Sequence, residues 1–303
     1  MESTPPPPKI RSSGGGGAVR VDAEGYVLHV RAVAGVESCC YVDSIDVAFD
    51  MGCCAHQVAS KSNVFITHGH ADHISAFVTH AARRSLQKMR PAKYYVPSHL
   101  VAHMHSILQS FSSMQGDEIR AHIVSVEPFE EIHLSAQWAV KAFPTVHRVL
   151  SLGYILYRKH TKLKDEYVGL PGKEIAAFKR EGREVTTAIL SPEIAYTGDT
   201  TAQIFEKIAS SSEGQTMQLQ CDLLSVKVLI TEATYVGDDR TPLDASSRGH
   251  IHLDQLIALS PQFERIGTIV LVHFSARYSP EELETIVNRK VPEPFRSKLR
   301  IGR

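Results

Sequence analysis

Val64-Phe65-Ile66-Thr67-His68-Gly69-His70-Ala71-Asp72-His73 passes from an apolar run into three imidazoles and a carboxylate within six residues. Core packing never requires such a density of ring nitrogens, whereas a metal site does. Imidazole nitrogens and carboxylate oxygens are ligands for Zn²⁺ and similar first-row ions, and alternate residues leaving a strand end can send His68 and His70 to one ion. Asp72 and His73 would then serve a second. A lone His-x-His pair reads equally well as a polar loop rich in histidine; the full His-x-His-x-Asp-His string does not.

Four ligands from one loop cannot close two coordination shells, so this reading demands further donors downstream. Trp138 to Phe143 reads as a strand running into Pro144-Thr145-Val146-His147, Ile194-Ala195-Tyr196 runs into Thr197-Gly198-Asp199-Thr200, and Thr268 to Val272 runs into His273-Phe274-Ser275-Ala276-Arg277. Each time an apolar, β-branched run stops at one metal-ligand type followed by turn residues, which is how sites are built at the rim of a sheet. Any one such histidine is more often a structural residue. Together the segments have an order and spacing that form a pattern.

His68, His70, Asp72, His73, His147, Asp199 and His273 resemble the ligand set of the metallo-β-lactamase superfamily. That resemblance covers about residues 25 to 285 and implies an α/β fold, a four-layer αββα sandwich with a binuclear site along one edge. Glu232-Ala233-Thr234-Tyr235, Gly249-His250 and His273-Phe274-Ser275-Ala276-Arg277-Tyr278 are similar to the ribonuclease Z branch, and the stretch from Lys162 through Glu174 to Asp199 to its short plant form. The branch implies an endonuclease acting on precursor transfer RNA, removing the 3′ trailer and leaving a 3′-hydroxyl. It also implies two Zn²⁺ per chain, with Mn²⁺ or another divalent ion as the alternative, and a homodimer.

Composition is compatible with this and does not compel it. The chain of 303 residues, 43% hydrophobic, is long enough for one large sandwich or for two domains. Formal net charge is zero, so an RNA surface has to come from local segregation of charge. From Arg158 to Arg183, eight basic residues (Arg158, Lys159, Lys162, Lys164, Lys173, Lys179, Arg180, Arg183) face four acidic ones (Asp165, Glu166, Glu174, Glu181), a surplus of four. With its Gly169-Leu170-Pro171-Gly172 break, the segment at about 158–184 reads as an excursion from the sandwich. Charge alone favours a solvated hairpin face; the resemblance implies contact between Lys159, Lys162 and Lys164 and transfer RNA phosphates.

Five cysteines, two pairs of them adjacent (Cys39-Cys40 and Cys53-Cys54), point to reduced thiols, and neither pair has the two-residue gap of a structural zinc knuckle. Residues 1–22, with Pro5 to Pro8 and Gly14 to Gly17, are expected to be disordered, ahead of a catalytic domain at 23–303. They contain no hydrophobic signal core or membrane span, which points to the cytoplasm, with the nucleus as a second compartment.

Val27 to Val33, Cys40 to Val42 and Asp46 to Asp50 read as an opening meander, with Asp50-Met51-Gly52 as a turn. The pattern predicts a helix over Asp72 to Lys88 and another capped by Ser98, carrying Leu100, Met104, Ile107, Leu108 and Phe111 on its apolar face. His99 and His103 lie one turn apart there without a third donor and read as surface or packing residues. Ser279-Pro280-Glu281-Glu282 has the form of a capping box.

Phosphodiester hydrolysis needs an activated water, neutralised nonbridging oxygens and a proton for the departing 3′-oxygen. The resemblance assigns His68, His70 and His147 to one ion, Asp72, His73 and His273 to the other, and Asp199 to a bridge, with Asp72 orienting the water. It makes His250 the proton donor, Glu232 its orienting partner, and Ser275 and Arg277 phosphate ligands. Both His250 and His252 sit at an expected helix start, where either can simply face solvent. Where the family carries a small hydroxyl residue after its histidine, this chain has Ile251. The alternatives are another hydrolase on the same scaffold, such as a small-substrate phosphodiesterase, and an RNA-binding module without catalysis.

Overall fold

Strands in this chain alternate where one face meets water and become apolar throughout where both faces are covered. The computed structural model describes residues 17–206 and 214–303. Its first sheet contains β1 (Val19–Ala23), β2 (Tyr26–Ala34), β3 (Glu37–Val42), β4 (Val47–Phe49), β5 (Asn63–Phe65), β6 (Lys93–Pro97) and β7 (His122–Val126), hydrogen-bonded in that order. The second holds β8 (Glu131–His133), β9 (Trp138–Pro144), β10 (Leu152–Leu163), β11 (Thr186–Tyr196), β12 (Val228–Glu232) and β13 (Thr268–Val272). Immediately after β13, β14 (Phe274–Ser275) crosses to pair with β2 in the first sheet, and β15 (Leu299–Ile301) closes the second sheet beside β13. Each sheet is antiparallel in its first half and parallel in its second.

Three apolar layers hold these sheets. Val30, Phe49, Phe65, Val140, Tyr154, Ile194, Tyr196 and Val270 fill the space between them. Outside the first sheet, α1 (Ala71–Ile74), α2 (Phe77–Leu86) and α3 (Val101–Gln115) bring Phe77, Val78, Met104 and Leu108 against Tyr94 and Val96. The short α4 (Gly172–Arg180) belongs to the excursion. Outside the second sheet lie α5 (Gly214–Leu223), α6 (Pro242–Ser247), α7 (Leu253–Ala258) and α8 (Pro280–Lys290), of which α5, α7 and α8 contribute Leu223, Leu253, Leu256, Leu283 and Val287. The layer order is helix, sheet, sheet, helix, the αββα sandwich expected.

Local differences have local causes. The helix expected over Asp72 to Lys88 is broken at Ser75-Ala76, because Ala76 donates its amide to Met51 O (2.9 Å) and Ser75 Oγ bonds Gly52 O (3.0 Å). Ser98 caps nothing: it lies in a 3₁₀ turn, the helix proper starts at Val101, and Phe111 is exposed. The box at Ser279 forms as expected, Ser279 Oγ accepting from the Glu282 amide and Glu282 returning the bond. Of the segment 1–22, residues 1–16 lie outside the described residues; Val19–Ala23 is an edge strand, so order begins ahead of the expected boundary. Cys39 and Cys40 are buried on β3, and all five thiols are free.

Tyr94 and His80 form a buried polar pair under α2. The Tyr94 hydroxyl meets His80 Nδ1 at 2.6 Å, and His80 Nε2 donates to Val58 O at 3.2 Å. Burial pushes the His80 imidazole down to about 4. An unfolded histidine takes up its proton near 6.5 and the folded one not until about 4, so this group's stabilisation is complete above 6.5 and falls away by about 3 kcal/mol as pH drops through that window. Chemical denaturation of wild type and His80→Gln between pH 7 and 4 should therefore show the wild type losing stability more steeply; parallel profiles would refute the assignment.

Candidate metal centre

All the expected donors leave the same edge of the sandwich. His68 and His70 follow β5, Asp72 and His73 lie on α1, His147 follows β9, Asp199 follows β11 and His273 follows β13. Strand direction explains the convergence: β9, β11 and β13 run the same way, so their C-terminal ends meet at one rim. Leu152 donates its amide to Thr67 O (2.9 Å) and Tyr154 its hydroxyl to Ile66 O (2.7 Å), clamping the two sheets there.

Backbone strain aims the side chains. His273 adopts φ 57° directly after β13, and Asp50 φ 56° directly after β4, both in the left-handed region that non-glycine residues rarely occupy. Gly198, at φ 59°, precedes Asp199 where a Cβ would lie 2.7 Å from the Thr67 side chain, so only glycine lets the loops approach.

The seven expected donors form two groups, and a third, Asp199, His250 and His273, overlaps both. His68, His70, His147 and Asp199 place their ligand atoms within 4.8 Å of one another, and so do Asp72, His73 and His273. In the first, His68 Nε2 is 3.0 Å and His147 Nε2 3.3 Å from His70 Nδ1. In the second, His273 Nε2 is 3.2 Å from Asp72 Oδ2 and 3.4 Å from His73 Nε2. Asp199 stands between them. Its Oδ2 lies 3.8 Å from His68 Nε2 and 3.9 Å from His147 Nε2, while its Oδ1 lies 3.3 Å from both His73 Nε2 and His273 Nδ1. Oδ1 is buried and has no hydrogen-bond donor of its own among the described residues.

Outer partners set which nitrogen each ring presents. His73 Nδ1 donates to Asp50 Oδ2 (2.7 Å), His147 Nδ1 to Gly249 O (2.7 Å) and His68 Nδ1 to Thr67 Oγ1 (2.9 Å), whose hydroxyl proton goes to Asp50. In each case Nε2 is left for the cluster, the arrangement that orients metal-ligating histidines. Burial depresses His68, His70 and His147, keeping them neutral. Burial opposes ionisation of Asp72 and Asp199, but the neighbouring imidazoles outweigh it and hold both well below the usual carboxylate range. For His73 the Asp199 and Asp50 carboxylates outweigh burial and raise it. Five imidazoles, two carboxylates and an orphaned buried oxygen between two donor groups fit a pair of divalent cations.

Beside this cluster Glu232, fully buried at the end of β12, accepts from the Thr200 amide (2.8 Å), Ile251 amide (3.1 Å), Thr234 Oγ1 (2.6 Å) and His250 Nδ1 (2.9 Å). Burial works against a charge on His250, but Glu232 prevails and pushes it up to about 9, so His250 carries a proton at neutral pH. The histidine that starts α7 is His252, whose Nδ1 accepts from the Asp254 amide (3.1 Å). Ile251 is buried in the outer apolar layer. Ser275 accepts from Arg277 Nε (3.1 Å), and Arg277 is ion-paired with Asp239.

Lys159, Lys162 and Lys164 lie elsewhere. They occupy the far half of β10 and its continuation, where β10 and β11 run beyond β9 as a hairpin that carries α4. Eleven residue steps along β10 separate Leu152, at the metal rim, from Leu163, about 35 Å. Lys159 Nζ meets His133 Nδ1 (2.9 Å) and Lys162 pairs with Asp165 (3.2 Å). His99 and His103 are exposed on the other side of the first sheet.

Two residues of the site are not legible in the sequence as such. Asp50 reads as a turn residue, and Thr234, which joins Glu232 to His273 through its hydroxyl (2.6 and 3.2 Å), reads only as part of a motif. The signal available is a lone carboxylate ending an apolar run, as at Asp199.

No family model matches the chain. Over 276 residues it is 35% identical to tRNase Z TRZ1 of Arabidopsis thaliana, spanning 91% of this chain and 94% of that protein. It is 34% identical over 267 residues to the chloroplastic tRNase Z TRZ2 of the same plant, spanning 88% and 72%. Among solved structures, the metallo-β-lactamase fold protein YhfI from Bacillus subtilis superposes with a TM-score of 0.56 at 14% identity, covering 91% of this chain and 96% of that one.

Asp50 touches no proposed ion, yet it sets the tautomer of His73 and, through Thr67, of His68. Asp50→Asn is expected to lower divalent-metal affinity about 10- to 100-fold, measured by competition with a chromogenic chelator. Unchanged affinity would show that the two rings are aimed by packing alone.

Proposed function

The chain belongs to the tRNase Z family, and we propose that its metal centre hydrolyses the phosphodiester joining the 3′ trailer to precursor transfer RNA. The observation that carries the mechanism is Asp199, whose two oxygens face one donor group each, beside His250 held by Glu232. His68, His70 and His147 would hold one cation, Asp72, His73 and His273 the other, and Asp199 would bridge them. Two Zn²⁺ suit this nitrogen-rich set, with Mn²⁺ as the alternative. Bound there, a pair of divalent cations supplies an acidified water and neutralises nonbridging phosphate oxygens.

The remaining work falls to the chain's own groups. Asp72 orients the attacking water and takes its proton as the water oxygen forms the new bond to phosphorus. The bond from phosphorus to the ribose 3′-oxygen breaks, and its electron pair leaves with that oxygen. His250 presents Nε2, since Nδ1 is committed to Glu232, and gives the leaving oxygen its proton. The products are a 3′-hydroxyl on the transfer RNA and a 5′-phosphate on the trailer. A positioned acid of this kind contributes about 10²- to 10⁴-fold in rate. Ser275 and Arg277 lie just past the ligand His273 as phosphate-binding groups, and the basic hairpin with Lys159, Lys162 and Lys164 grips the RNA body about 23 to 40 Å along the strand from the metal rim. The same reading includes a homodimer.

Purified protein should remove the trailer from precursor transfer RNA, stop when a chelator is added and resume with Zn²⁺. Faster hydrolysis of a small cyclic diester than of RNA would favour the small-substrate phosphodiesterase instead. Elemental analysis should give two ions per chain in wild type. Asp72→Ala is expected to lose an ion and turnover together, whereas His250→Ala keeps both ions and loses about 10²- to 10⁴-fold in rate; an ion lost from His250→Ala would make that residue a ligand. Replacing Lys159, Lys162 and Lys164 together by Ala should weaken RNA binding and flatten its dependence on log salt by about 0.7 to 0.9 for each phosphate no longer neutralised. Undiminished RNA affinity would leave the hairpin a solvated face.

A further inference from the structure

The loop after β12 fastens an acidic residue to the guanidinium beside the site. Arg277 is constrained from three sides: Nε donates to Ser275 Oγ (3.1 Å), Nη1 is ion-paired with Asp239 Oδ2, and the guanidinium stands over the Tyr235 ring, its carbon 5.7 Å from the centroid. Nη2 has no partner among the described residues. Asp239 is itself held, since Oδ1 accepts from the Tyr278 hydroxyl (2.9 Å), which in turn accepts from the Gly237 amide (3.3 Å).

Further contacts hold the loop. His252 Nε2 donates to Gly237 O (2.9 Å), Lys290 Nζ reaches Val236 O (3.3 Å) and pairs with Asp238 (3.0 Å), and Arg289 pairs with Asp238 (3.2 Å). A Cβ on Gly237 would stand 2.8 Å from Asp239 Oδ1, so the carboxylate sits directly on the backbone that carries it. The opposite neighbour of Arg277 is Tyr235, whose ring is 6.3 Å from that of His250. The free edge of the guanidinium is therefore one aromatic ring away from the group that protonates the departing 3′-oxygen.

We propose that Asp239, with Tyr278, is a positioning residue that aims Arg277 Nη2 at a nonbridging oxygen of the RNA phosphate immediately 5′ of the scissile one. This rests on the reading of the protein as an RNA phosphodiester hydrolase. An arginine swinging freely on its stem would lose rotamer entropy on meeting the phosphate; one pinned at Nε and Nη1 has already lost it. Because that phosphate does not react, the contact is equally strong before and during the chemical step, and it acts on KM rather than kcat.

The test uses the metal-loaded protein and two precursor RNAs, one with natural linkages and one carrying a neutral methylphosphonate over a 2′-deoxy sugar at the phosphate 5′ of the cut. On the natural RNA, Asp239→Asn should raise KM about tenfold with kcat little changed, and Arg277→Ala should do the same. The double variant should be no worse than Arg277→Ala alone, and the methylphosphonate should erase the difference between wild type and all three variants. Asn keeps the side-chain shape, so melting temperature and metal content of Asp239→Asn separate positioning from a merely structural role. An Asp239→Asn enzyme matching wild type on natural RNA, or a loss that persists undiminished on the neutral linkage, overturns the proposal. Wild type that hydrolyses bis(p-nitrophenyl) phosphate but removes no trailer means that the RNA reading has failed, and the positioning of Arg277 on that phosphate falls with it.

Discussion

A single fully buried carboxylate, Asp50, organises the active edge. It accepts from the Thr67 amide (2.8 Å), Thr67 Oγ1 (3.0 Å), His73 Nδ1 (2.7 Å) and Tyr196 Oη (2.8 Å), and so joins the end of β4 to the loop after β5, to α1 and to β11 of the other sheet. An unpaired charge in such a place costs several kcal/mol, so the four donors have to be present together. That demand makes the loop after β5 take one conformation. The left-handed backbone at Asp50 is tolerated because these bonds over-determine it.

Glu232 plays the corresponding part on the second sheet. Also buried, it collects three backbone amides and two side chains from the Asp199 loop, the segment after β12 and the turn between α6 and α7. The metal donors thus lie between two anionic anchors, each wired to backbone as well as to rings. Packing supports the anchors from behind: Phe49 stacks on Tyr196 at 5.0 Å and Phe65 on Tyr95 at 4.5 Å in the layer between the sheets. The strand β14 completes the edge by stepping from one sheet to the other directly after His273.

The departure at Ile251-His252 is accommodated by the same geometry. Ile251 turns its side chain into the outer apolar layer and gives its amide to Glu232, while His252 caps α7 and ties it to Gly237. A ring nitrogen here does the capping that a small hydroxyl does elsewhere. No hydroxyl residue follows His250 in the chain; the hydroxyl beside its ring is that of Thr234, 3.4 Å from Nδ1. The basic hairpin follows a different rule: α4 buries none of its residues fully, and its order comes from local contacts such as the Tyr167 and Phe178 rings at 5.5 Å and Arg183 over Phe178 at 4.8 Å.

Much of the site is legible in the chain because its donors are local in sequence or end apolar runs. His68 to His73 declare themselves by density, and His147, Asp199 and His273 by stopping β-branched stretches, a pattern that follows from strand ends alone. The helix box at Ser279 is equally local. What the sequence cannot carry are facts that depend on partners far along the chain. The break at Ser75-Ala76 comes from Met51 and Gly52, and the failure of Ser98 as a cap from the 3₁₀ turn it occupies. The role of Asp50 requires Tyr196, 146 positions away, and the pinning of Arg277 requires Asp239, 38 positions away. Composition and periodicity report what a residue prefers among its neighbours; which buried carboxylate meets which ring is decided only when two sheets close on each other and every desolvated charge has to find its donors.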